Sequence, residues 1–246
     1  MKRVQNISRY NRIGKDGSLN EVEVPNSAMY VAQNLVKNIS ERSLFHLANS
    51  NSVRLDNYFV LNQDIEVYGN RETNGIDGSM SAFIGQSNLT DGLCFLLIGD
   101  LSFFYDMNAL WNSYIGNNLR IVVCNNSGGA IFHSYPNIAN VPTLDDHIAA
   151  EHVTSIKAWV EARGFEYLSA RDKDEVRTAI ARLCDKDSDK PLVLEAFTDK
   201  ETGAESIRKI LEPYKSKEAL TLRQIVAQHT PENVKGIVRK AMGSAR

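Results

Sequence analysis

The stretch from Leu93 to Phe132, LCFLLIGDLSFFYDMNALWNSYIGNNLRIVVCNNSGGAIF, decides the fold. Two apolar runs, 93–98 and 119–124, are short enough for strands. Large or β-branched side chains occupy both of their faces, which is typical of central strands in a parallel sheet. Between the runs, apolar residues recur from Phe104 to Tyr114 at the spacing of a helix. The stretch therefore predicts a strand–helix–strand unit with two parallel strands.

The same alternation continues on both sides of this stretch. Further apolar runs predict four more strands, at 43–49, 65–68, 165–169 and 192–197. Segments with helical periodicity lie beside them, at 25–39, 76–87, 150–164, 173–184 and 204–213. Strands and helices that alternate at these lengths predict an α/β protein with a three-layer α/β/α arrangement and a mostly parallel central sheet.

The composition divides the chain into three parts. Residues 1–24 are polar and are predicted to be a lead-in or linker. The alternating strands and helices occupy 25–213. Residues 214–246 are rich in Lys and Arg and are predicted to form a basic helical extension.

The overall composition excludes several classes of protein. A chain of 246 residues with 43% hydrophobic and 24% charged residues is an ordinary globular protein, and a net charge of −2 gives no sign of nucleic acid binding. The apolar runs are too short to cross a bilayer, and no signal-peptide pattern opens the chain. Its three cysteines, at 94, 124 and 184, form no motif. We therefore expect a cytoplasmic protein with reduced thiols.

Polar or flexible residues follow four of the predicted strands. Ligands of open parallel sheets bind outside the carboxyl ends of the strands, so these residues are candidates for a site. They are Asn49-Ser50 with Arg54, Asn70-Arg71 followed by Gly75-Ile76-Asp77-Gly78, Gly99-Asp100, and Asn125-Asn126-Ser127-Gly128.

The residue types at two of these ends suit a magnesium ion that is shared with a diphosphate. Mg²⁺ prefers hard oxygen ligands, which Asp100, Asn126 and the Gly128 carbonyl can supply. The helix that starts near Ser102 would direct free N–H groups at the phosphate. Taken singly, Asp100 could be a helix cap and the Asn-Gly segment a turn. However, the 26 residues from Asp100 to Asn126 span one strand–helix–strand repeat, which brings both to adjacent strand ends.

A Gly-Asp pair followed by Asn-Asn after such a unit resembles the signature of thiamine diphosphate (ThDP) enzymes. GDLSFFYDMNAL, with NN-x-GG-x-IF downstream, resembles in particular the MenD family, synthases of menaquinone biosynthesis. Asn49-Ser50 with Val53-Arg54, and Asn70-Arg71 with the segment 75–78, resemble further motifs of that family. The resemblance covers roughly residues 26–213.

The resemblance implies a ThDP-binding fold, the cofactors ThDP and Mg²⁺ (or Mn²⁺), and a role in a transferase that acts as decarboxylase and carboligase. The reaction would be decarboxylation of the 2-oxoacid 2-oxoglutarate and addition to isochorismate. The implied metal ligands are Asp100, Asn126 and Gly128. The implied cofactor-binding residues are Gly75, Ile76, Gly99, Asp100, Leu101, Ser102, Asn126 and Gly128, with Ile76 as the apolar wedge that bends ThDP. The implied substrate-binding residues are Ser50, Arg54 and Arg71, which would bind carboxylates.

The chain departs from the family pattern in three respects. Leu101 stands where the ThDP signature has a glycine, and Glu72-Thr73-Asn74 follows Arg71 where the MenD family has a glycine. The family also has a pyrimidine-binding domain that carries an activating glutamate, and no Glu of this chain can be assigned that role. We therefore expect the isolated chain to be inactive without a pyrimidine-binding domain or subunit, in cis or in trans, and we expect self-association.

Two other functions remain open. The chain could be the diphosphate-binding subunit of a split 2-oxoacid decarboxylase, or a degenerate module that binds without catalysis. The acidic and histidine residues of 145–152 resemble a metal cluster, but their spacing fits no usual zinc motif. His46 lies inside an apolar run and is predicted to be a hydrogen-bonded core residue, while His133 and Tyr135 are predicted to lie on a lid or at the surface.

Overall fold

Six strands form one sheet in which every neighbouring pair is parallel. The computed structural model describes residues 18–71, 75–135, 137–203, 205–207, 209 and 210. The strands are β1 (Leu44–Leu47), β2 (Glu66–Gly69), β3 (Cys94–Gly99), β4 (Leu119–Asn125), β5 (Glu166–Ala170) and β6 (Leu192–Phe197). Their order across the sheet is β2-β1-β3-β4-β6-β5, so β3 and β4 lie side by side at its centre.

Six α-helices accompany the sheet within uninterrupted described stretches, and the described residues 200–203, 205–207, 209 and 210 are also helical. The six are α1 (Ala28–Asn38), α2 (Asn51–Asp56), α3 (Ser79–Ser87), α4 (Asp100–Asp106), α5 (Lys157–Ala162) and α6 (Lys173–Leu183). Short 3₁₀ helices span Ser18–Glu21, Met107–Trp111 and Ala130–Ser134, and a π-helical turn spans Leu144–Ile148. None of the described helices is long and apolar enough to cross a membrane.

The core lies on both faces of the sheet. Alternate residues of β3 point to opposite faces because a strand has a period of two. Cys94, Leu96 and Ile98 join one buried cluster with residues of α3, α4 and α5. Phe95 and Leu97, equally buried, face the other side. The predicted three-layer α/β/α fold is confirmed, with a sheet that is fully parallel.

The main differences between the helices and the sequence prediction lie at three places. Where the spacing from Phe104 to Tyr114 predicts a helix, α4 ends at Asp106 and a 3₁₀ helix, Met107–Trp111, follows. Helix α2 begins directly after Ser50, where no helix was predicted, and the predicted helix 150–164 is reduced to α5. Its first part, 150–156, is non-helical because its backbone and side chains bond to the turn after β4 and to β6, and its local bond from the Thr154 N–H goes to the His152 ring. This segment, 150–156, is called the strap below.

The predicted domain boundaries stay predictions. Residues up to Ile207 form one unit, and Arg208–Arg246 form a second, of which the structure describes only 209 and 210. The predicted basic extension, 214–246, therefore lies outside the described residues. Within the first unit, Leu19 and Val24 are buried, and the Gln33 amide donates to the carbonyls of Leu19 and Val22, so the end of the predicted lead-in packs on α1.

Candidate functional site

Asp100 joins the end of β3 to the turn that follows β4. Gly99 lies opposite Cys124 in the sheet, so the residues after each strand meet at one edge. The side chain is buried, and its carboxylate accepts hydrogen bonds from the backbone N–H groups of Leu101 at 2.7 Å, Asn126 at 3.1 Å and Gly128 at 2.9 Å. Burial raises the pKa of the Asp100 carboxyl, and these amides act in the opposite direction. The carboxylate is thus held in place by the backbone around it.

The turn after β4 depends on a glycine at 128. Ser127 and Gly128 both have positive φ angles, of 62° and 140°. A Cβ atom at 128 would lie 2.6 Å from the Ala149 carbonyl oxygen, which is closer than real Cβ contacts. Gly128 therefore allows the turn to approach the residues just before the strap.

Asn126 carries a polar atom that has no partner. Its Oδ1 is buried and accepts no hydrogen bond in the structure. A buried acceptor without a donor costs free energy, so such an atom calls for an explanation such as a bound ion or water. Asn126 lines the same cavity as Asp100, and an amide oxygen that lacks a donor there fits a cation ligand.

Most of the predicted cofactor residues line one cavity of about 150 Å³ at this edge of the sheet. Eight of the predicted site residues line it: Ser50, Ile76, Gly99, Asp100, Leu101, Ser102, Asn126 and Gly128. Gly75 lies outside that lining, but its carbonyl accepts from Asn49, a cavity residue, at 2.9 Å. The structure thus brings together eight residues that the sequence predicted separately.

The two residues after Asp100 also have hydrogen bonds within the protein. The Leu101 amide is used by Asp100, and the Ser102 hydroxyl donates to the Ile76 carbonyl in a short hydrogen bond. The Ser102 bond ties the segment before α3 to the first turn of α4. Leu101, where the ThDP signature has glycine, places its side chain at the cavity wall.

The predicted substrate residues are divided between the cavity and the surface. Ser50 lines the cavity with a strained backbone, at φ 71° and ψ −127°. Arg54 and Arg71 are exposed and do not line the cavity. Within the described residues, no ion pair engages either guanidinium. Their predicted contact with carboxylates stays a prediction.

Comparison with known proteins shows which sequences this chain resembles. The 2-succinyl-5-enolpyruvyl-6-hydroxy-3-cyclohexene-1-carboxylate synthase (MenD) of Phocaeicola vulgatus is 40% identical over 192 residues, which are 78% of this chain and 34% of the relative. The synthase of Bacteroides fragilis is 40% identical over 187 residues, 76% of this chain and 34% of the relative. The synthase of Christiangramia forsetii is 34% identical over 183 residues, 74% of this chain and 32% of the relative.

This chain is similar in sequence to part of the MenD synthases. It spans about a third of the length of the curated MenD relatives that it matches. The resemblance predicted from the Gly-Asp and Asn-Asn motifs is thereby confirmed. No protein-family model matches the chain.

A solved structure supports the fold independently. Benzoylformate decarboxylase from Polynucleobacter necessarius superposes with a TM-score of 0.54 at 22% identity, covering 70% of this chain and 33% of the decarboxylase. At that identity the likeness concerns the fold alone.

The sequence did not predict the contact that His152 makes with Asp100. This histidine was grouped with the acidic residues of 145–152, and the described residues contain no group of three or more His, Cys, Asp or Glu side chains that could hold a metal. Instead, His152 Nε2 lies 3.2 Å from Asp100 Oδ2, at ion-pair distance but without hydrogen-bond alignment. Its ring meets Phe104 edge-on, with centroids 5.1 Å apart. A histidine after an acidic run gave no sequence signal for this contact.

Two acidic residues of that segment, Asp145 and Glu151, form ion pairs. Asp145 accepts from Lys200 Nζ at 2.6 Å and lies 2.9 Å from His133 Nε2, and Lys200 also reaches Glu151 at 3.1 Å. Lys200 and His133 hold the pKa of the Asp145 carboxyl below its usual range. His46 is a buried core residue as predicted, with its ring nitrogens 2.6 Å from Gln86 Oε1 and 2.9 Å from Asn70 Oδ1.

Proposed function

We propose that this chain binds Mg²⁺ and the diphosphate of ThDP, as one part of a MenD-like decarboxylase and carboligase. The observation that carries the proposal is the unpartnered Asn126 Oδ1 beside the cavity that Asp100 and Gly128 also line. The relatives with similar sequences carry the name of the MenD synthase, which supports the same proposal.

Three residues would hold the cation. Asp100 would supply an anionic oxygen, Asn126 Oδ1 a neutral one, and Gly128 its carbonyl, a set of hard ligands that suits Mg²⁺ or Mn²⁺. The backbone amides that bond Asp100 hold its carboxylate in place before any cation binds. A preformed ligand set reduces the ordering that binding requires.

Other residues of the cavity would position the rest of the cofactor. The Ser102–Ile76 hydrogen bond fixes the Ile76 backbone at the cavity wall, where an apolar side chain can support a bent cofactor. ThDP, when bound, would supply the electron sink for decarboxylation. Gly75, Gly99 and Leu101 would shape the same wall.

The proposed substrates are carboxylic acids. Ser50 would bind from within the cavity, while Arg54 and Arg71 would present planar guanidiniums that pair with carboxylates in a bidentate manner. The MenD resemblance gives 2-oxoglutarate and isochorismate as the specific pair.

We infer that another polypeptide segment completes the site. The chain matches about a third of its relatives' length, and none of its glutamates is assigned the activating role on the pyrimidine ring. A pyrimidine-binding domain, from a longer form of the chain or from a separate subunit, would supply that glutamate. Tyr105, Trp111 and Tyr114 are about two-thirds or more exposed, which agrees with association through this region.

Titration calorimetry with ThDP and Mg²⁺ tests the proposal. We expect Asp100→Ala to weaken binding by about a hundredfold, because it removes the charged ligand, whereas Asp64→Ala, which removes an exposed carboxylate outside the cavity lining, leaves binding unchanged. Equal heats of binding for the wild type and Asp100→Ala would contradict the proposal, and no heat of binding in either would favour the degenerate module. If binding is normal but only a separate subunit restores turnover, the chain is the subunit of a split decarboxylase.

A further inference from the structure

Strand β6 carries a fully buried carboxylate in an otherwise apolar run. Glu195 has no exposed surface, and in the sheet it lies opposite Val123 of β4 and Ser169 of β5. Burying a carboxylate is costly unless hydrogen bonds replace the water that it loses. The partners of Glu195 therefore indicate what this residue does.

Four neutral donors surround the Glu195 carboxylate. Oε1 accepts from Asn125 Nδ2 at 2.7 Å and from the Ile156 backbone N–H at 3.2 Å. Oε2 accepts from the Ser155 hydroxyl at 2.6 Å and the Tyr167 hydroxyl at 2.7 Å. Burial and the bond to Glu195 raise the pKa of Tyr167 to about 12, so the phenol stays a donor. One carboxylate thus joins β4, β5 and the strap.

The bond to Asn125 leads to the turn that contains Asn126 and Gly128. Asn125 donates to Glu195 Oε1 and to the Thr154 carbonyl, and its Oδ1 accepts from the Ser127 N–H at 3.1 Å. Because two acceptors hold the NH₂ group, the amide oxygen must face Ser127. A reversed amide would put N–H against N–H and lose all three bonds.

The bonds to the strap lead to the other side of the same turn. Ile156 and Ser155 fix the end of the strap on Glu195. Earlier in the strap, the His152 N–H donates to the Ser127 carbonyl at 3.1 Å, and the His152 ring lies beside Asp100. Ser127 is therefore held through its N–H by Asn125 and through its carbonyl by the strap, and both of these are bonded to Glu195.

We propose that Glu195 is a positioning residue: by hydrogen bonding to Asn125 and to the strap, it holds the turn that presents Asn126 and Gly128 to the cation. The role in cation binding rests on the proposed function. The hold on the turn does not, and it can be measured without any ligand.

Two measurements on the full chain test this inference. The first is amide hydrogen exchange of Ser127 without ligand, with the β3 amide of Phe95 as an internal reference. The second is the dissociation constant for ThDP with Mg²⁺. For Glu195→Leu we expect Ser127 to exchange about tenfold faster relative to Phe95, and cofactor affinity to fall by about tenfold or more, the range found for groups that support metal ligands.

Two further variants separate positioning from general stability. Glu195→Gln should retain Ser127 protection and affinity within about threefold, because its amide oxygen can still accept from Asn125 and Ile156 while the hydroxyls of Ser155 and Tyr167 turn to accept. Tyr167→Phe removes a bond of the same length from the same carboxylate, away from the turn, and should change neither value. If Glu195→Leu does not fold, Asn125→Ala should show the same losses.

The outcomes decide the inference separately from the function. Unchanged Ser127 exchange in Glu195→Leu, or in Asn125→Ala where that variant replaces it, would overturn the inference. So would a loss of affinity in Glu195→Gln equal to that in Glu195→Leu, because the charge and not the hydrogen bonds would then matter. If the wild type binds no ThDP, the proposed function fails, and the Ser127 exchange rates still decide whether Glu195 holds the turn.

Discussion

Asp100, the first residue of α4 directly after β3, and Glu195 of β6 are both buried carboxylates beside the carboxyl half of β4, yet their surroundings differ. Glu195 is enclosed by three side chains and one backbone amide. Asp100 accepts hydrogen bonds from backbone amides and lines a cavity that is also lined by Asn126, whose Oδ1 has no donor. Burial alone therefore does not mark a binding residue. An open cavity and an unpartnered acceptor beside the carboxylate distinguish the ligand-binding region from the supporting one.

The largest effect on stability is expected where the two regions meet, at Gly128. Gly128→Ala puts a Cβ against the Ala149 carbonyl and forces a side chain into φ 140°, so we expect a loss of about 3 kcal/mol in the free energy of unfolding. Denaturant unfolding measures it. Gly203→Ala is a matched control, because nothing lies within 4 Å of its added Cβ. A fully stable Gly128→Ala protein would contradict the described turn.

Two adjacent side-chain amides, Asn125 and Asn126, test the difference between the supporting and the ligand-binding region most directly. Asn125→Ala removes three hydrogen bonds of the supporting region and should cost about 2 kcal/mol of stability. Asn126→Ala removes an oxygen that has no partner, so stability should change by less than about 0.5 kcal/mol while ThDP–Mg²⁺ affinity falls by about tenfold or more. Chemical denaturation and calorimetry on the same samples test both. A destabilised Asn126→Ala protein with unchanged affinity would reverse our assignment of the two residues.

Asp56, at the end of α2, is a third buried carboxyl, and its Oδ1 has no hydrogen-bond partner in the structure. It extends the comparison to a buried carboxyl with an oxygen that lacks a donor. Burial raises its pKa from 3.8 to about 7. As the pH rises, the Asp56 carboxyl loses its proton at a lower pH in the unfolded chain than in the folded protein. The contribution of Asp56 to the free energy of unfolding therefore falls between pH of about 4 and about 7 and is constant above that.

Replacing Asp56 by Asn should therefore stabilise the protein at pH values above the native pKa. We expect a gain of about 2 kcal/mol there, and little difference from wild type near pH 4, since the native carboxyl is then protonated. Melting temperatures across this range measure the effect. A difference between the two proteins that does not change with pH would show that Asp56 is not the group responsible.

The smallest effect is expected at Tyr167. Tyr167→Phe should lower stability by about 1 kcal/mol through the loss of one hydrogen bond to Glu195, without a change in cofactor affinity. Thermal unfolding and calorimetry measure the two quantities. A large loss of affinity would mean that the supporting region acts through the Tyr167 bond as well as through the Asn125 bond.

The sequence predicted the sheet and the edge at which the site lies because apolar runs and their polar ends are local features. Gly99-Asp100 and Asn125-Asn126 could be placed together since parallel strands align their carboxyl ends. The Leu101 and Glu72–Asn74 departures were also visible, although 72–74 lie outside the described residues.

The parts that sequence did not predict depend on contacts between distant segments. The strap has helical periodicity in sequence, but its bonds to Glu195 and Ser127 replace a helical turn. The contact of His152 with Asp100 joins the strap to the first residue of α4. Glu195 was noticeable in the sequence as a charged residue within the apolar run LVLEAF. Its four donors could not be predicted, because they come from positions up to 70 residues away.

The central claim is that a cation held by Asp100, Asn126 and Gly128 anchors a diphosphate. Calorimetric titration of the wild-type chain with ThDP, in Mg²⁺ and in EDTA, and with thiamine as the ligand that lacks phosphate, tests it most directly. We predict binding of ThDP in Mg²⁺, affinity weaker by about tenfold or more in EDTA, and no binding of thiamine under either condition. Equal affinity for ThDP with and without the cation would contradict the claim.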